Sequence, residues 1–317
     1  MGDGKTHDSM GLETKRNEIC YPYMLEKCYN LKEGKSMGGK DITEKTLEDY
    51  NDVFADIVNG FVFKGEGRID PDDLTNATAR SQYKADEKLH EMERDVAKYW
   101  SKNNVNIAIC GIENQTSVER YMPLRVFGYE GAAYRQQILS SKKEFVPVVT
   151  LVLYFGTKER WKQPKTIKEI VDIPNGMEDY VNDCKINVFE IAWLSEEEIE
   201  RFHSDFRIVA NFFAKKRQNK EYIPDDPQEI KHVDALLKLL SVMAGDNRYE
   251  TILYDGSGKE IKNMCDVAER LENKGRIEGQ NDLANAIREL KKGASPEELL
   301  KKGYDQNTID LAIACVK

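Results

Sequence analysis

The residues best placed to do chemistry stand in "NIAICGIENQT", residues 106 to 116, where an apolar run ends in Glu113, Asn114 and Gln115. Strand side chains alternate, so Ile107, Ile109, Gly111, Glu113 and Gln115 share one face. Burial suits the first three. A carboxylate and an amide at the end of that face require water, hydrogen bonds or a cation. Asp95, in "MERDVAKYW", stands on the preceding predicted strand, across a turn at "SKNN". A hairpin centred near residues 102 and 103 sets Asp95 opposite Cys110, with Glu113 a little beyond, where twist or a bulge can bring the two carboxylates together.

Two converging carboxylates repel each other unless a divalent cation lies between them. Mg²⁺ suits the site, being hard, oxygen-seeking and able to keep waters that attack a phosphodiester; Mn²⁺ is its natural substitute. Asn114 points its side chain to the other face but can offer its main-chain carbonyl. Gln115 can orient a water, though it adds no charge. The competing reading is a solvated strand end with ordinary hydrogen bonds, and spacing alone does not separate the two.

The elements around this stretch imply an α/β core with a mixed sheet. "LEDYNDVFADIVNGFVF" has apolar residues at Tyr50, Val53, Phe54, Ile57 and Val58, the stripe of an amphipathic helix. Asp49, Asp52 and Asp56 adjoin that stripe, with Asp52 and Asp56 one turn apart. "IDPDDL" reads as a turn, and a polar stretch runs on to about residue 91. The pattern then gives the hairpin, a helix at "MPLRVFGYEGAAYRQQILSSKK", a central strand at "FVPVVTLVLYFG" and another at "INVFEIAWL". "SEEEIERFHSDFRIVANFFAKK" reads as one helix opened by a capping box at Ser195 and Glu198. Helical stretches follow at about 226–244 and 260–292, then a two-helix tail in which Pro296 starts and Gly303 stops the first helix. The resulting division is an N-terminal extension (1–45), a core (46–195), a helical extension of that core (196–262), and a C-terminal helix with a short tail (263–317).

Bulk properties exclude several classes. No run approaches the roughly 20 apolar residues of a membrane helix, and the polar N-terminus lacks a signal-peptide core; a cytoplasmic location is expected. The six cysteines, Cys20, Cys28, Cys110, Cys184, Cys265 and Cys315, form no CxxC pair, which argues against a zinc ribbon or disulfide framework. "LKEGKSMGGKD" has Tyr29 where a phosphate loop needs glycine, and "GEGRID" ends in Asp70 instead of the last glycine of a dinucleotide motif. The net charge of −9 does not advertise nucleic-acid binding. However, "KERWKQPKTIK" sets Lys158, Arg160, Lys162, Lys165 and Lys168 around Trp161 against one acid, Glu159. Such a segment is either a local phosphate-steering surface or a solvated loop. The long helix near 264–292 offers a face for homodimer pairing, weakened by Gly275 and Gly279.

"ERDVAKYW", the strand entering "GIENQT", "MPLRVFGYEGAAY", "VPVVTLVLYFGTKERW" and the later "AERLENKGRIEGQ" resemble, in order and spacing, the Rpn family of recombination-promoting nucleases, also called transposases. That family lies within the PD-(D/E)XK nuclease superfamily. The resemblance spans roughly residues 48 to 290. It implies a restriction-endonuclease-like core and a Mg²⁺-dependent DNA endonuclease linked to recombination or mobile elements. Asp95 matches the first metal-binding aspartate and Glu113 the acid of an E-x-Q motif. Gln115 stands where the wider superfamily has lysine, so the transition-state charge falls to the metal or another cation. Arg125 and Tyr129, one turn apart, match recurring positions and are expected to face the DNA backbone with Lys158, Arg160 and Lys162; a structural role for Tyr129 is the equal alternative. An additional acid from the first core helix is expected from Asp52 or Asp56. The rival implication is a nuclease-like module that binds DNA or a protein partner without useful catalysis, favoured by the acidic charge and the missing lysine.

Overall fold

The computed structural model describes residues 46–77, 80–85, 88–93, 95–103, 105–140, 145–254 and 260–316. The expected N-terminal extension, 1–45, lies outside them. The described residues open with a 3-10 turn, Leu47–Asp49, leading into α1 (Asn51–Val62). Seven strands follow among the described residues, in chain order: β1 (Leu74–Asn76), β2 (Arg80–Ala85), β3 (Lys88–Glu93), β4 (Val96–Lys102), β5 (Val105–Gln115), β6 (Val148–Tyr154) and β7 (Asn187–Glu190). The helix α2 (Met122–Leu139) connects β5 to β6. After β7 come α3 (Glu196–Ile199), α4 (Asp205–Gln218), α5 (Val233–Ala244), α6 (Arg248–Thr251), α7 (Met264–Lys291), α8 (Pro296–Lys301) and α9 (Gln306–Val316).

The main sheet runs β1-β4-β5-β6-β7. β1, β4 and β5 pair antiparallel, and β5, β6 and β7 pair parallel. This is the mixed sheet expected of the nuclease core. Ala108, Cys110 and Ile112 of β5 face one cluster, shared with Phe54 and Ile57 of α1, Phe206 and Val209 of α4, and Leu236 and Leu240 of α5. On the opposite face, Met122 and Val126 of α2 pack on Val152, Tyr154 and Trp161. Both faces of β5 and β6 are thus covered, which is why these strands read as near-continuous apolar runs. The C-terminal tail closes its own small cluster from Ala286, Leu299, Ile309 and Ala312.

Several boundaries depart from the sequence patterns. The polar stretch before residue 91 contains β2 and β3, which form a separate two-stranded antiparallel sheet. "MERDVAKYW" is not one strand: β3 ends at Glu93 and β4 starts at Val96. "INVFEIAWL" leaves the sheet at Glu190 and winds into a 3-10 turn, Ile191–Trp193, whose Ile191 and Ala192 are fully buried. The expected long helix from Ser195 breaks in two because Ser204 caps a second helix. Its Oγ accepts from Phe206 N at 3.2 Å, and the buried Asp56 carboxylate accepts from His203 N, Ser204 N and Ser204 Oγ.

Candidate active site

Because β4 runs antiparallel to β5 and β6 runs parallel to it, the start of β4 and the ends of β5 and β6 lie at one end of the sheet. Asp95 and Glu113 meet there through the register. The hairpin closes at Lys102↔Val105, with Asn103 in the left-handed region (φ 52°), and the ladder slips by one residue between Trp100 and Ser101. Asparagine tolerates that backbone better than most residues. With Val96 opposite Ile112, continuation of the ladder sets Asp95 opposite Glu113 and not Cys110. The expectation of Cys110 placed the turn too early and gave no position to the bulge.

Asn114 holds the acids of this end together. Its main-chain N–H donates to Asp95 Oδ2 at 2.7 Å. Its side chain, on the face opposite Glu113, donates from Nδ2 to Glu48 Oε1 at 3.1 Å. Glu48 is fully buried in the 3-10 turn, and its Oε2 has no hydrogen-bond partner among the described residues; neither has Asn114 Oδ1. Burial, reinforced by the nearby Asp95 and Asp49 charges, pushes the Glu48 carboxyl up to about 7. The turn is fixed at both ends. Asp49 accepts from Thr46 N and Oγ1. Lys98 of β4, only 1% exposed, donates to Asp49 O at 2.9 Å and to Asn76 Oδ1 at 2.8 Å.

Glu113 is also buried, on the α2 side, at 2% exposure. Its Oε1 pairs with Arg125 and accepts from Gln115 Nε2 at 3.4 Å. Arg125 in turn donates to Glu119 Oε2 at 2.6 Å and to the Tyr129 hydroxyl at 3.1 Å. Burial opposes the Arg125 charge, but Glu113, Tyr129 and Glu119 outweigh it and hold the guanidinium above its ordinary pKa. Burial, followed by the Glu113 charge, raises the Tyr129 phenol. Tyr129 is buried against Arg125 and braces it, whereas a third of the Arg125 side chain stays exposed.

The two acids considered for the additional position have other partners. Asp56 caps α4, as described. Asp52 accepts from His232 Nε2 at 3.0 Å, and that ring stacks on Tyr50 with centroids 3.7 Å apart. The first-helix acid that reaches Asn114 is Glu48, one turn before the helix proper. Sequence reasoning passed over it because it lies outside the amphipathic stripe. The signal was the cap pattern Thr46-Leu47-Glu48-Asp49, which turns the residues between Thr46 and Asp49 inward.

The basic segment is dispersed. Trp161 is 6% exposed and packs edge-on against Tyr154 at 5.4 Å, so it offers no stacking face. Arg160 pairs with Glu190 at 3.3 Å and lies over the Trp193 ring at 4.9 Å. Lys158 and Lys162 are exposed.

The oxygens able to hold a hard cation are those of Glu48, Asp95 and Glu113. Among the described residues no group of three or more His, Cys, Asp or Glu is arranged as a metal cluster: Glu113 is turned to Arg125 on one face of β5, and Glu48 is bonded to the Asn114 side chain on the other. The donor chemistry nevertheless fits. A buried carboxyl with a bare oxygen, forced toward neutrality beside a second carboxylate, is a site that gains from a divalent charge.

The family described as "Putative transposase, YhgA-like" matches residues 73–241. No curated protein and no solved structure matches the chain. No helix of the described residues is long and apolar enough to cross a membrane.

Proposed function

The chain belongs to the YhgA-like transposase family, and from that premise we propose that it is a Mg²⁺-dependent endonuclease that hydrolyses DNA phosphodiesters at the carboxyl end of β5. One observation carries the reading: Asp95 and Glu48 both reach Asn114, the residue that follows Glu113. In this reading Glu48, Asp95 and Glu113 hold the cation, and Mn²⁺ can replace Mg²⁺. The bound cation supplies an acidified water and neutralises charge on the phosphate. Gln115, hydrogen-bonded to Glu113, is placed to orient a water with its carboxamide. Arg125 can offer its exposed edge to a phosphate oxygen, which supplies the positive charge that a lysine at position 115 would give. Buried Tyr129 acts through Arg125 by fixing its fork.

A second reading, a DNA- or partner-binding module without turnover, draws on the Arg125–Glu113 pair, since a guanidinium on Glu113 competes with a cation for the same oxygen. Supercoiled plasmid separates the two. Wild type with Mg²⁺ is expected to nick it, with activity abolished by EDTA and by Asp95→Ala prepared in parallel. Binding of DNA by wild type without nicking supports the module reading, and equal nicking by Asp95→Ala removes the site.

A further inference from the structure

Immediately beyond Gln115, outside the carboxyl ends of β5 and β6, lies a crevice of about 300 Å³. Thr116 and Ser117 line one side and Lys158 another; Phe213 of α4 and Met243 of α5 give it an apolar wall, and Lys216 of α4 a second ammonium. We propose that this crevice is a nucleotide subsite. It takes one nucleotide of a DNA strand, with the phosphate between Lys158 and Lys216 and the base against Met243 and Ala244. The inference rests on the nuclease reading and extends it, because the crevice touches neither Glu48, Asp95 nor Glu113.

The location is the first argument. Phe155 N donates to Gln115 O at 2.8 Å, so the wall of the crevice is hydrogen-bonded to the strand end that carries Glu113. A strand whose scissile phosphate lies at Glu113 passes this opening next. In α/β sheets ligands settle outside the carboxyl ends of the strands.

The chemistry is the second argument. Lys158 and Lys216 face one lining carboxylate, Glu159, which leaves the balance in favour of an anion. Thr116, Ser117 and Thr157 add hydroxyl donors. Phe213 is buried and backs the crevice from the core, so the half-exposed side chains of Met243 and Ala244 form the apolar surface open to a base. The volume sits at the lower limit of small-molecule sites, roughly 300 Å³, which fits one nucleotide and leaves a free phosphate without use for the apolar side.

The third argument is rigidity. The loop presenting Lys158 is held on four sides: by Phe155 N on Gln115 O, Tyr154 Oη on Glu159 O at 3.0 Å, Trp193 Nε1 on Gly156 O at 3.2 Å, and Trp161 N on Glu190 Oε1 at 2.7 Å. Gly156 is required for this path, since a Cβ there would lie 2.0 Å from the Tyr154 hydroxyl. Lys216 is steadied over the Phe212 ring at 5.3 Å. Such pre-ordering lowers the cost of binding.

The test is a calorimetric titration of the full chain with deoxyadenosine 5′-monophosphate, inorganic phosphate and deoxyadenosine. The nucleotide is expected to bind at least about tenfold tighter than either half, consistent with roughly 1.4 kcal/mol or more. Lys216→Glu and Ala244→Trp, the latter filling the crevice, should each weaken it by about tenfold or more. Circular dichroism reports folding, and if the tryptophan variant misfolds, Lys216→Glu decides. Equal binding of phosphate alone, or nucleotide binding indifferent to Lys216→Glu, overturns the subsite. Plasmid nicking keeps the two readings apart. A wild type that nicks but shows no crevice-dependent nucleotide binding refutes the subsite alone. A wild type that binds the nucleotide through Lys216 yet cuts nothing in Mg²⁺ refutes hydrolysis alone.

Discussion

Replacing Glu48 by Gln tests the electrostatics of the site in the metal-free protein. The carboxyl is fully buried, its Oε2 lacks a hydrogen-bond partner among the described residues, and it titrates near 7 against an ordinary 4.5. A folded-state pKa above the unfolded value means that the folded chain holds the extra proton between those two values. Its stabilising effect is complete below pH 4.5 and is lost as pH rises through about 7. At roughly 1.4 kcal/mol per unit, the wild type loses about 3 kcal/mol from this group between pH 4.5 and pH 8. Glu48→Gln keeps the acceptor for Asn114 and does not titrate. Urea unfolding in EDTA across that range should therefore show the variant gaining on the wild type by about 3 kcal/mol toward pH 8. Parallel pH curves for the two proteins would refute the reasoning. Adding Mg²⁺ at pH 8 should stabilise the wild type more than the variant, because binding to the folded state alone adds to stability.

Other substitutions separate the site from its scaffold. Arg125→Gln strands the buried Glu113 charge and should cost roughly 3 kcal/mol in chemical denaturation, the low end for a broken buried pair because Arg125 is one-third exposed. Adding Glu113→Gln should recover part of that loss in a double-mutant cycle. Asp56→Ala removes three hydrogen bonds at the start of α4 and should destabilise by about 2–3 kcal/mol while calorimetric Mg²⁺ affinity stays at the wild-type value. Lys98→Met leaves the Asp49 carbonyl and Asn76 amide without their ammonium and should cost about 1–3 kcal/mol, with Mg²⁺ affinity falling as the Glu48 turn loosens.

Much of the core was legible from periodicity. The apolar stripe of α1, the buried runs of β5 and β6, and the long helix α7 all express local pattern, and they form as expected, whereas the helical stretch expected at about 226–244 starts only at Val233. The family match falls within the span of the resemblance. Departures occurred where distant contacts set local structure. Asp56, from α1, decides where α4 begins, so the break after α3 is encoded some 150 residues away from it. β2 and β3 carry no long apolar run, and their pairing is not readable from hydrophobicity. Glu48 also escaped notice because its partners come from the sheet: Asn114 bonds its carboxyl, and Lys98 holds the carbonyl of the neighbouring Asp49. The segment around Trp161 read as a phosphate-steering surface or a solvated loop, yet the Tyr154 and Ile186 cluster buries the indole itself.

Crystals of the full chain soaked in Mn²⁺ and measured at its absorption edge address the central claim most directly. The expected result is a single anomalous peak within bonding distance of Asp95, Glu113 and Glu48, with Arg125 displaced from Glu113. A peak elsewhere, or none at millimolar Mn²⁺ with the Arg125–Glu113 pair intact, would contradict it.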